Sequence, residues 1–293
     1  MFRIEGSQEG SRAVNAIRVM SFNVRQCRGR DGRIDPERIG RVIDQLDPDV
    51  VALQEVESSA ASDHLSHLGQ ELGLLTFGRR EAGANAFLSR YPLKGVREFS
   101  LGQGGVCLKA DIDLLGKRVH LFNVRLALSP LRHYRQLGAL VGPELLENPD
   151  LPCPKLILGD FGDFWPWLWV CRFTLPFGRP RRPLWCPTYP APLPLFRRDR
   201  AYFLGDIAVR QIPVVWNPLT RSASSHLPLV MTVSLQDTLE YLRTERIRER
   251  METAPGCFRN KSVLCRRPSR FVDKAVEYVD NFSECRAFGK KPA

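Results

Sequence analysis

The amino-acid sequence predicts an α/β fold, in which strands and helices pack in layers, and three observations support this class. Residues 17–53 follow the order strand, helix, strand. Residues 105–124 have the pattern of two antiparallel strands joined around Gly116. Several apolar runs end in a polar residue, which is how a rigid sheet carries a functional site.

The strand–helix–strand unit begins with the apolar run at residues 17–23, which predicts a buried strand. The Asp-Pro-Glu sequence at residues 35–37 predicts a helix start, with Asp as the N-cap and Pro at the first helical position. The Asp-Pro sequence at residues 47–48 stops this helix before the next strand at residues 50–53. The apolar residues between these signals share one helical face: Ile39, Val42, Ile43 and Leu46.

The remaining apolar patterns extend the same architecture to residue 233. Residues 58–75 and 130–147 have the spacing of amphipathic helices. Short apolar runs predict further strands at residues 85–88, 105–113, 117–124, 156–158, 201–209, 212–216 and 229–233.

We divide the 293 residues into three parts. Residues 1–16 form a leader, residues 17–234 form one large domain, and residues 235–293 form a basic, partly helical C-terminal extension. The extension contains 13 Lys/Arg and 9 Asp/Glu residues and has two amphipathic helical patterns. We expect these helices to serve in packing or oligomerisation, and the oligomeric state stays open.

The charge of the chain favours anionic partners. The net charge is +11 and the pI is about 9.5, as expected for a protein that binds nucleic acid, a phospholipid surface or phosphorylated small molecules. A generally arginine-rich proteome would give the same balance.

Two features predict a cytoplasmic protein. The leader lacks the apolar core of a signal peptide, and residues 164–177 are too short to span a bilayer and contain an arginine and two prolines. The eight cysteines include no C-x-x-C pair, so no zinc site is predicted. We expect reduced thiols, with a disulfide among Cys257, Cys265 and Cys285 as the alternative.

Residues 164–198 form a segment that is rich in tryptophan, arginine and proline and contains no acidic residue. Aromatic and arginine side chains suit nucleic-acid binding. Tryptophan also suits a membrane surface. A rim loop with partly buried aromatic side chains explains the composition equally well, so the three interpretations stay open.

Four polar side chains stand at the ends of apolar runs. Asn23 and Glu55 end the first two runs, Asp160 ends a third, and His226 precedes the last. A sheet brings such strand ends together, so we expect the four side chains to share one site. Carboxylate, amide and imidazole groups in one place suit a hard cation and a phosphate group.

The motifs along the chain occur in the order SFN, LQE, LSRYPL, HLFN, LILGDF and SHLP. In this order they resemble the endonuclease/exonuclease/phosphatase superfamily over residues 17–234. The resemblance implies a deoxyribonuclease-like α/β sandwich of four layers, with two mixed β-sheets packed face to face and flanked by helices. It also implies hydrolysis of phosphodiester or phosphomonoester bonds with Mg²⁺ or Mn²⁺.

The resemblance also implies the residues that act on metal and water. Glu55 and Asn23 would hold the metal ion, because oxygen ligands suit Mg²⁺. Asp160 would orient or deprotonate the attacking water.

For the phosphate group, the resemblance implies a second set of residues. His226, oriented by Asp199, would stabilise the charged transition state. Asp206 is the second candidate for the orienting carboxylate. Arg125 and Asn123, in the strand that contains HLFN, would contact phosphate.

Four positions depart from the family pattern. Arg125 stands where the family has a histidine, Gly162 where it has an asparagine, and Ser225 where it has an aspartate. Arg25 replaces a histidine of close relatives. An arginine can clamp a phosphate group, but its pKa is too high for it to donate a proton to a leaving group.

These departures lead to two functional hypotheses. The first is a divalent-metal-dependent phosphoester hydrolase. The second is a catalytically impaired family member that binds nucleic acid or other phosphate-bearing partners. The sequence leaves DNA, RNA, lipid headgroups and small phosphate esters open as substrates.

Overall fold

The computed structural model describes residues 16–57, 62–79, 81, 83–114, 116–151, 154–162 and 187–235. The leader, most of the segment at residues 164–198 and the helical patterns of the extension lie outside the described residues, so the predictions for them stay predictions. Six of the eight cysteines lie outside them too. The two that are described, Cys27 and Cys107, are buried and unpaired, and burial raises the pKa of Cys27 to about 12.

The described residues form eleven strands in two mixed β-sheets. The strands are β1 (Ala16–Asn23), β2 (Val50–Val56), β3 (Leu75–Gly78), β4 (Ala84–Ser89), β5 (Lys94–Gly102), β6 (Gly105–Leu114), β7 (Lys117–Arg125), β8 (Lys155–Asp160), β9 (Asp199–Leu204), β10 (Ile207–Gln211) and β11 (Leu229–Leu235). The first sheet has the order β10-β11-β1-β2-β4-β3, and the second has the order β5-β6-β7-β8-β9.

Helices cover the outer faces of both sheets. Apolar residues of α1 (Pro36–Leu46), α2 (His64–Leu72) and α4 (Pro218–Ala223) pack on the first sheet, and those of α3 (Pro130–Val141) pack on the second. A third apolar cluster fills the space between the two sheets. The four-layer α/β sandwich is therefore confirmed. No helix in the described part of the chain is long and apolar enough to cross a membrane.

The first strand–helix–strand unit forms as its sequence predicts. Asp35 caps α1 by accepting a hydrogen bond from the Arg38 amide at 2.8 Å, and Pro36 occupies the first turn. The parallel strands β1 and β2 need a crossover connection, and α1 provides it.

The structure corrects several predicted boundaries. The helix expected at residues 130–147 ends at Val141. In the region expected to be helical at residues 58–75, α2 begins after its N-cap Asp63 and ends at Leu72, where Gly73 is the C-cap with a φ of +64°. Strands β3 and β5 were not predicted, because the alternation of apolar and polar residues in each is only three residues long, at residues 75–77 and 99–101.

The region after β8 also differs from the prediction. The strand expected at residues 201–209 is two strands, because the chain turns at Gly205 (φ +90°) and passes from the second sheet to the first. The strand expected at residues 212–216 is wrong. Pro213 has no amide hydrogen for a sheet ladder, and these residues form a loop before α4.

Strand register brings the predicted site to one edge of the sandwich. β1 and β2 run parallel, with Asn23 beside Gln54 at their carboxyl ends. β7 and β8 also run parallel and end with Arg125 beside Asp160. Asp160 in turn pairs with Asp199, the first residue of β9. The functional side chains therefore come from strand ends that the register fixes.

Asn123 joins the two sheets through a buried polar bridge. Its side-chain amide donates to the carbonyl oxygens of Leu53 (2.8 Å) and Ala86 (2.9 Å) in the first sheet. Its Oδ1 accepts a hydrogen bond from Gln54 at 2.8 Å, and the side chain is fully buried. The ladder between β2 and β4 shifts register after Leu53, and Asn123 satisfies the carbonyl groups at this shift.

We predict that Asn123→Ala lowers the free energy of unfolding by about 3 kcal/mol or more, because it removes both hydrogen bonds that Asn123 donates to buried carbonyl groups and the one that it accepts from Gln54. Urea unfolding measures this loss. Arg118→Ala is the matched control, since Arg118 is exposed on the same strand and should change stability by less than about 0.5 kcal/mol. Equal midpoints of urea unfolding for the two variants would contradict the role of Asn123 as a bridge between the sheets.

Candidate active site

Asp160 lies at the centre of the site and is almost completely buried, with 1% of its surface exposed. Its Oδ2 accepts hydrogen bonds from Asn23 Nδ2 at 3.0 Å and from Arg198 Nη2 at 2.8 Å. Its Oδ1 accepts from the Gly162 amide at 2.9 Å. Burial raises the pKa of Asp160, while the cationic His226 and Arg198 act in the opposite direction, so the net shift is upward.

His226 is buried beside Asp160 and is held by Asp199. Its Nδ1 lies 2.9 Å from Asp199 Oδ2, and its Nε2 lies 3.8 Å from Asp160 Oδ2. Burial alone would lower the pKa of His226, but the two carboxylates outweigh it and the pKa is raised. The alternative partner, Asp206, is exposed in the turn before β10. Of the two candidates, Asp199 is thus the carboxylate that contacts this histidine.

Glu55 projects into the site from an unusual backbone position. Its φ is +55°, in the left-handed region that a residue with a side chain seldom adopts, and it falls within the register shift of β2. About 31% of its side chain is exposed. Asn23 Nδ2 donates to Glu55 Oε1 at 3.1 Å, and Arg125 Nη1 lies 4.0 Å from the same oxygen.

Asn23 directs its amide nitrogen, rather than its oxygen, into the site. The Nδ2 group bridges Glu55 and Asp160, whereas Oδ1 accepts a hydrogen bond from the Arg25 amide at 3.0 Å. The Ser224 hydroxyl donates to the Asn23 carbonyl oxygen at 2.7 Å and ties this strand end to the loop that carries His226. In this orientation Asn23 positions the two carboxylates, and direct metal ligation would require the amide to turn over.

The two residues expected to contact phosphate occupy different environments. Arg125 is about one-quarter exposed, and its buried Nε has no hydrogen-bond partner among the described residues. It can therefore reach a ligand in the site. Asn123 is fully buried in the bridge between the sheets, and a phosphate contact would require those hydrogen bonds to break.

Arg198 is a site residue that the sequence analysis missed. Its guanidinium group pairs with Asp160 and lies 4.6 Å from the centre of the Tyr189 ring. The Tyr189 ring also lies 4.9 Å from the His226 ring. Arg198 is 8% exposed. The only signal in the sequence is a row of arginines around Asp199, and that row does not reveal which of them points inward.

The geometry also explains one departure from the family pattern. Gly162 has a φ of +68°, and a Cβ atom placed on it would lie 3.0 Å from the carbonyl oxygens of Leu126 and Ala127. A larger residue would therefore need the neighbouring backbone to shift. At another of the altered positions, the Ser225 carbonyl oxygen accepts a hydrogen bond from the Ala191 amide at 2.8 Å.

Asp160, Asp199 and His226 also form a cluster of metal-ligand type, with one donor atom from each within 4.8 Å of the others. These three side chains are already paired with one another or with Arg198. Glu55 is more exposed and less strongly paired. It is therefore the carboxylate that best fits a divalent cation.

Comparison with known proteins supports this assignment of the fold. The family model described as "Endonuclease/Exonuclease/phosphatase family" matches residues 20–234. An endonuclease/exonuclease/phosphatase from Beutenbergia cavernae is 21% identical, with a TM-score of 0.60 over 75% of this chain and 72% of that chain. No curated protein matches the chain.

Two further solved structures are similar over 75% of this chain. The mannosyl-6-phosphatase of Bacteroides thetaiotaomicron is 15% identical with a TM-score of 0.62, and all of that chain is covered. A humanized TDP2 of D. rerio is 13% identical with a TM-score of 0.56, and 99% of that chain is covered. At these identities the likeness establishes the fold.

We predict that NMR titration finds the pKa of His226 above its ordinary value of about 6.5, and that Asp199→Asn lowers it. The stability that the raised pKa contributes is fully present below the pKa of His226 in the unfolded chain. It is lost as the pH rises through the pKa of His226 in the folded protein. Asp206→Asn is the control and should leave the titration unchanged. An unchanged titration in Asp199→Asn would contradict the orienting role of Asp199.

We also predict that Arg198→Gln lowers the free energy of unfolding by about 3 kcal/mol or more, because it removes the cation that is hydrogen-bonded to the buried Asp160 carboxylate. Arg198→Lys should recover only part of the loss, since lysine keeps the charge but cannot stack as a plane on Tyr189. Urea unfolding at neutral pH checks both variants. Arg210→Gln, at an exposed position of β10, is the control. If Arg198→Gln lowers the free energy of unfolding no more than this control does, the pairing of Arg198 with Asp160 does not stabilise the fold.

Proposed function

Because the chain belongs to the endonuclease/exonuclease/phosphatase family, we propose that it is a divalent-metal-dependent hydrolase of phosphodiester or phosphomonoester bonds. The observation that carries this proposal is the buried group of Asp160, His226 and Asp199 beside the more exposed Glu55. The group combines a base, an oriented imidazole and a carboxylate that can hold a cation. These are the parts that phosphoester hydrolysis requires.

Glu55 is the residue that we assign to the cation. Asn23 orients it through the 3.1 Å hydrogen bond and holds Asp160 with the same amide nitrogen. Mg²⁺ or Mn²⁺ bound there would polarise a phosphoryl oxygen. The positive φ of Glu55 fits this role, because strained backbone conformations concentrate at functional sites.

We assign the water-orienting role to Asp160. The Asn23 amide, the Arg198 guanidinium and the Gly162 amide fix the direction of both of its oxygen atoms. A fixed carboxylate can hold a water molecule in line with the phosphorus atom. Its raised pKa brings it closer to the pH range in which a general base is effective.

Three cationic groups stand where negative charge develops on the phosphoryl group. His226 keeps its proton to a higher pH because of its raised pKa, and Asp199 fixes the direction of its ring. Arg125 and Arg198 add guanidinium groups that stay charged. Neither arginine can donate a proton to a leaving group, so we expect the enzyme to favour substrates with good leaving groups.

Asn123 has a structural role in this proposal. Its buried bridge holds the carboxyl end of β2, the strand from which Glu55 projects, against β7. It therefore supports the phosphate site without contacting the substrate.

The proposed activity is tested by hydrolysis of a bis-aryl phosphodiester with Mg²⁺ or Mn²⁺, with and without EDTA. We predict metal-dependent turnover that falls at least about a hundredfold in Glu55→Gln. Glu37→Gln is the matched control, because Glu37 is exposed on α1 and should leave the rate unchanged. Turnover that survives EDTA or Glu55→Gln would rule out the assigned metal site.

A second candidate function is a phosphate-binding protein with impaired catalysis. The observation that favours it is that Asp160 is paired with Arg198 and that Arg125 lies near Glu55, so arginines compete for both carboxylates. Combining Arg125→His with Ser225→Asp discriminates the two functions. A large gain of hydrolysis from a silent parent supports impairment, whereas a loss from an active parent supports the hydrolase.

A further inference from the structure

The structure contains a cavity of about 490 Å³ whose lining includes none of the site residues described above. One wall is formed by the basic loop that follows β1 together with Arg38 of α1, and the other is α4, which precedes the His226 loop. The Arg30 amide donates to the Ser222 carbonyl oxygen at 3.1 Å and joins the two walls. The cavity is lined by Arg30, Asp31, Arg38, Pro218, Arg221 and Ser222.

The three arginines of this cavity differ in their bonding. Arg38 is fully engaged, because its guanidinium group donates to Asp31, Asp35 and the Ser222 carbonyl oxygen. The side chains of Arg30 and Arg221 have no acceptor among the described residues, and Arg221 Nε is buried without a partner. The cavity therefore presents two guanidinium groups whose donors are available to an anion.

Arg221 is held in place by an aromatic ring. Its guanidinium carbon lies 4.6 Å from the centre of the Trp216 ring, in a cation–π contact. Trp216 is fixed in turn by a 3.0 Å hydrogen bond from its indole nitrogen to the Ala191 carbonyl oxygen. About 51% of Trp216 is exposed. A planar ring with exposed surface beside a fixed arginine is the combination that binds a base next to a phosphate.

The cavity lies within reach of a strand that occupies the active site. Four residues lie between Arg221 and His226, so their Cα atoms are at most about 18 Å apart even in a fully extended chain. Ser224, between them, is bonded to the Asn23 carbonyl oxygen. A substrate with one phosphate group at Asp160 could therefore place another, a few nucleotides along the strand, at Arg30 and Arg221.

We propose that this cavity is a second phosphate-binding subsite, which holds the backbone of a single-stranded nucleic acid while Trp216 stacks on a base. This inference rests on the proposed function, because it assumes that the same nucleic-acid strand also occupies the active site. Two free guanidinium groups supply the phosphate contact, because their forked donors match phosphate oxygens. The aromatic surface favours a nucleic-acid strand over a lipid headgroup, which offers no base to stack.

Binding of a fluorescein-labelled single-stranded oligonucleotide of about 12 residues tests the subsite by anisotropy in EDTA, where metal-dependent hydrolysis cannot interfere. We predict that Arg30→Glu with Arg221→Glu weakens binding at least about tenfold at low salt. The slope of log K against log salt should become shallower by about 1.4, as expected for two phosphate contacts on a single strand. Arg210→Glu, an exposed charge reversal on β10, is the matched control.

Equal affinities for the double variant and the Arg210→Glu control would overturn the subsite, as would a wild-type protein that does not bind the oligonucleotide. If charge reversal disturbs folding, Arg30→Gln with Arg221→Gln should still flatten the salt slope. Trp216→Ala should weaken binding with no change in that slope. Hydrolysis of the bis-aryl phosphodiester should be unaffected by the double variant, so failure of the subsite and failure of the hydrolase proposal remain distinguishable.

Discussion

The structure depends on the burial of one carboxylate, Asp160. A buried carboxylate is costly unless nearby groups compensate its charge. Asn23 and the Gly162 amide supply hydrogen bonds, and Arg198 and His226 supply positive charge. These partners come from separate segments of the chain, so the carboxylate is satisfied only when both sheets and the connecting loops are in place. Folding thereby assembles the site.

Much of the fold could be predicted because its signals are local. The Asp-Pro-Glu start at residues 35–37 and the apolar runs of β1, β2 and β8 each specify an element without knowledge of the rest. The mostly exposed edge strand β5 has no such pattern and was missed. The loop at residues 212–216 was misjudged because its apolar side chains outweighed Pro213 in the interpretation.

The site residues likewise divide into those that the sequence predicts and those that it does not. Strand ends place Asn23, Glu55 and Asp160 together, and this follows from topology. The direction in which an individual side chain points does not follow from topology. Nothing local shows that Arg198 turns inward onto Asp160, or that Asn123 bonds across to the other sheet. Both outcomes depend on partners that are distant in sequence.

The most direct test of the central role of Asp160 is the rate at which Asp160→Asn hydrolyses a bis-aryl phosphodiester with Mn²⁺, beside its affinity for Mn²⁺ alone. The account predicts a loss of at least about a hundredfold in rate, because the base is removed, with little change in Mn²⁺ affinity, because Glu55 is intact. A variant that turns over at the wild-type rate would contradict the account.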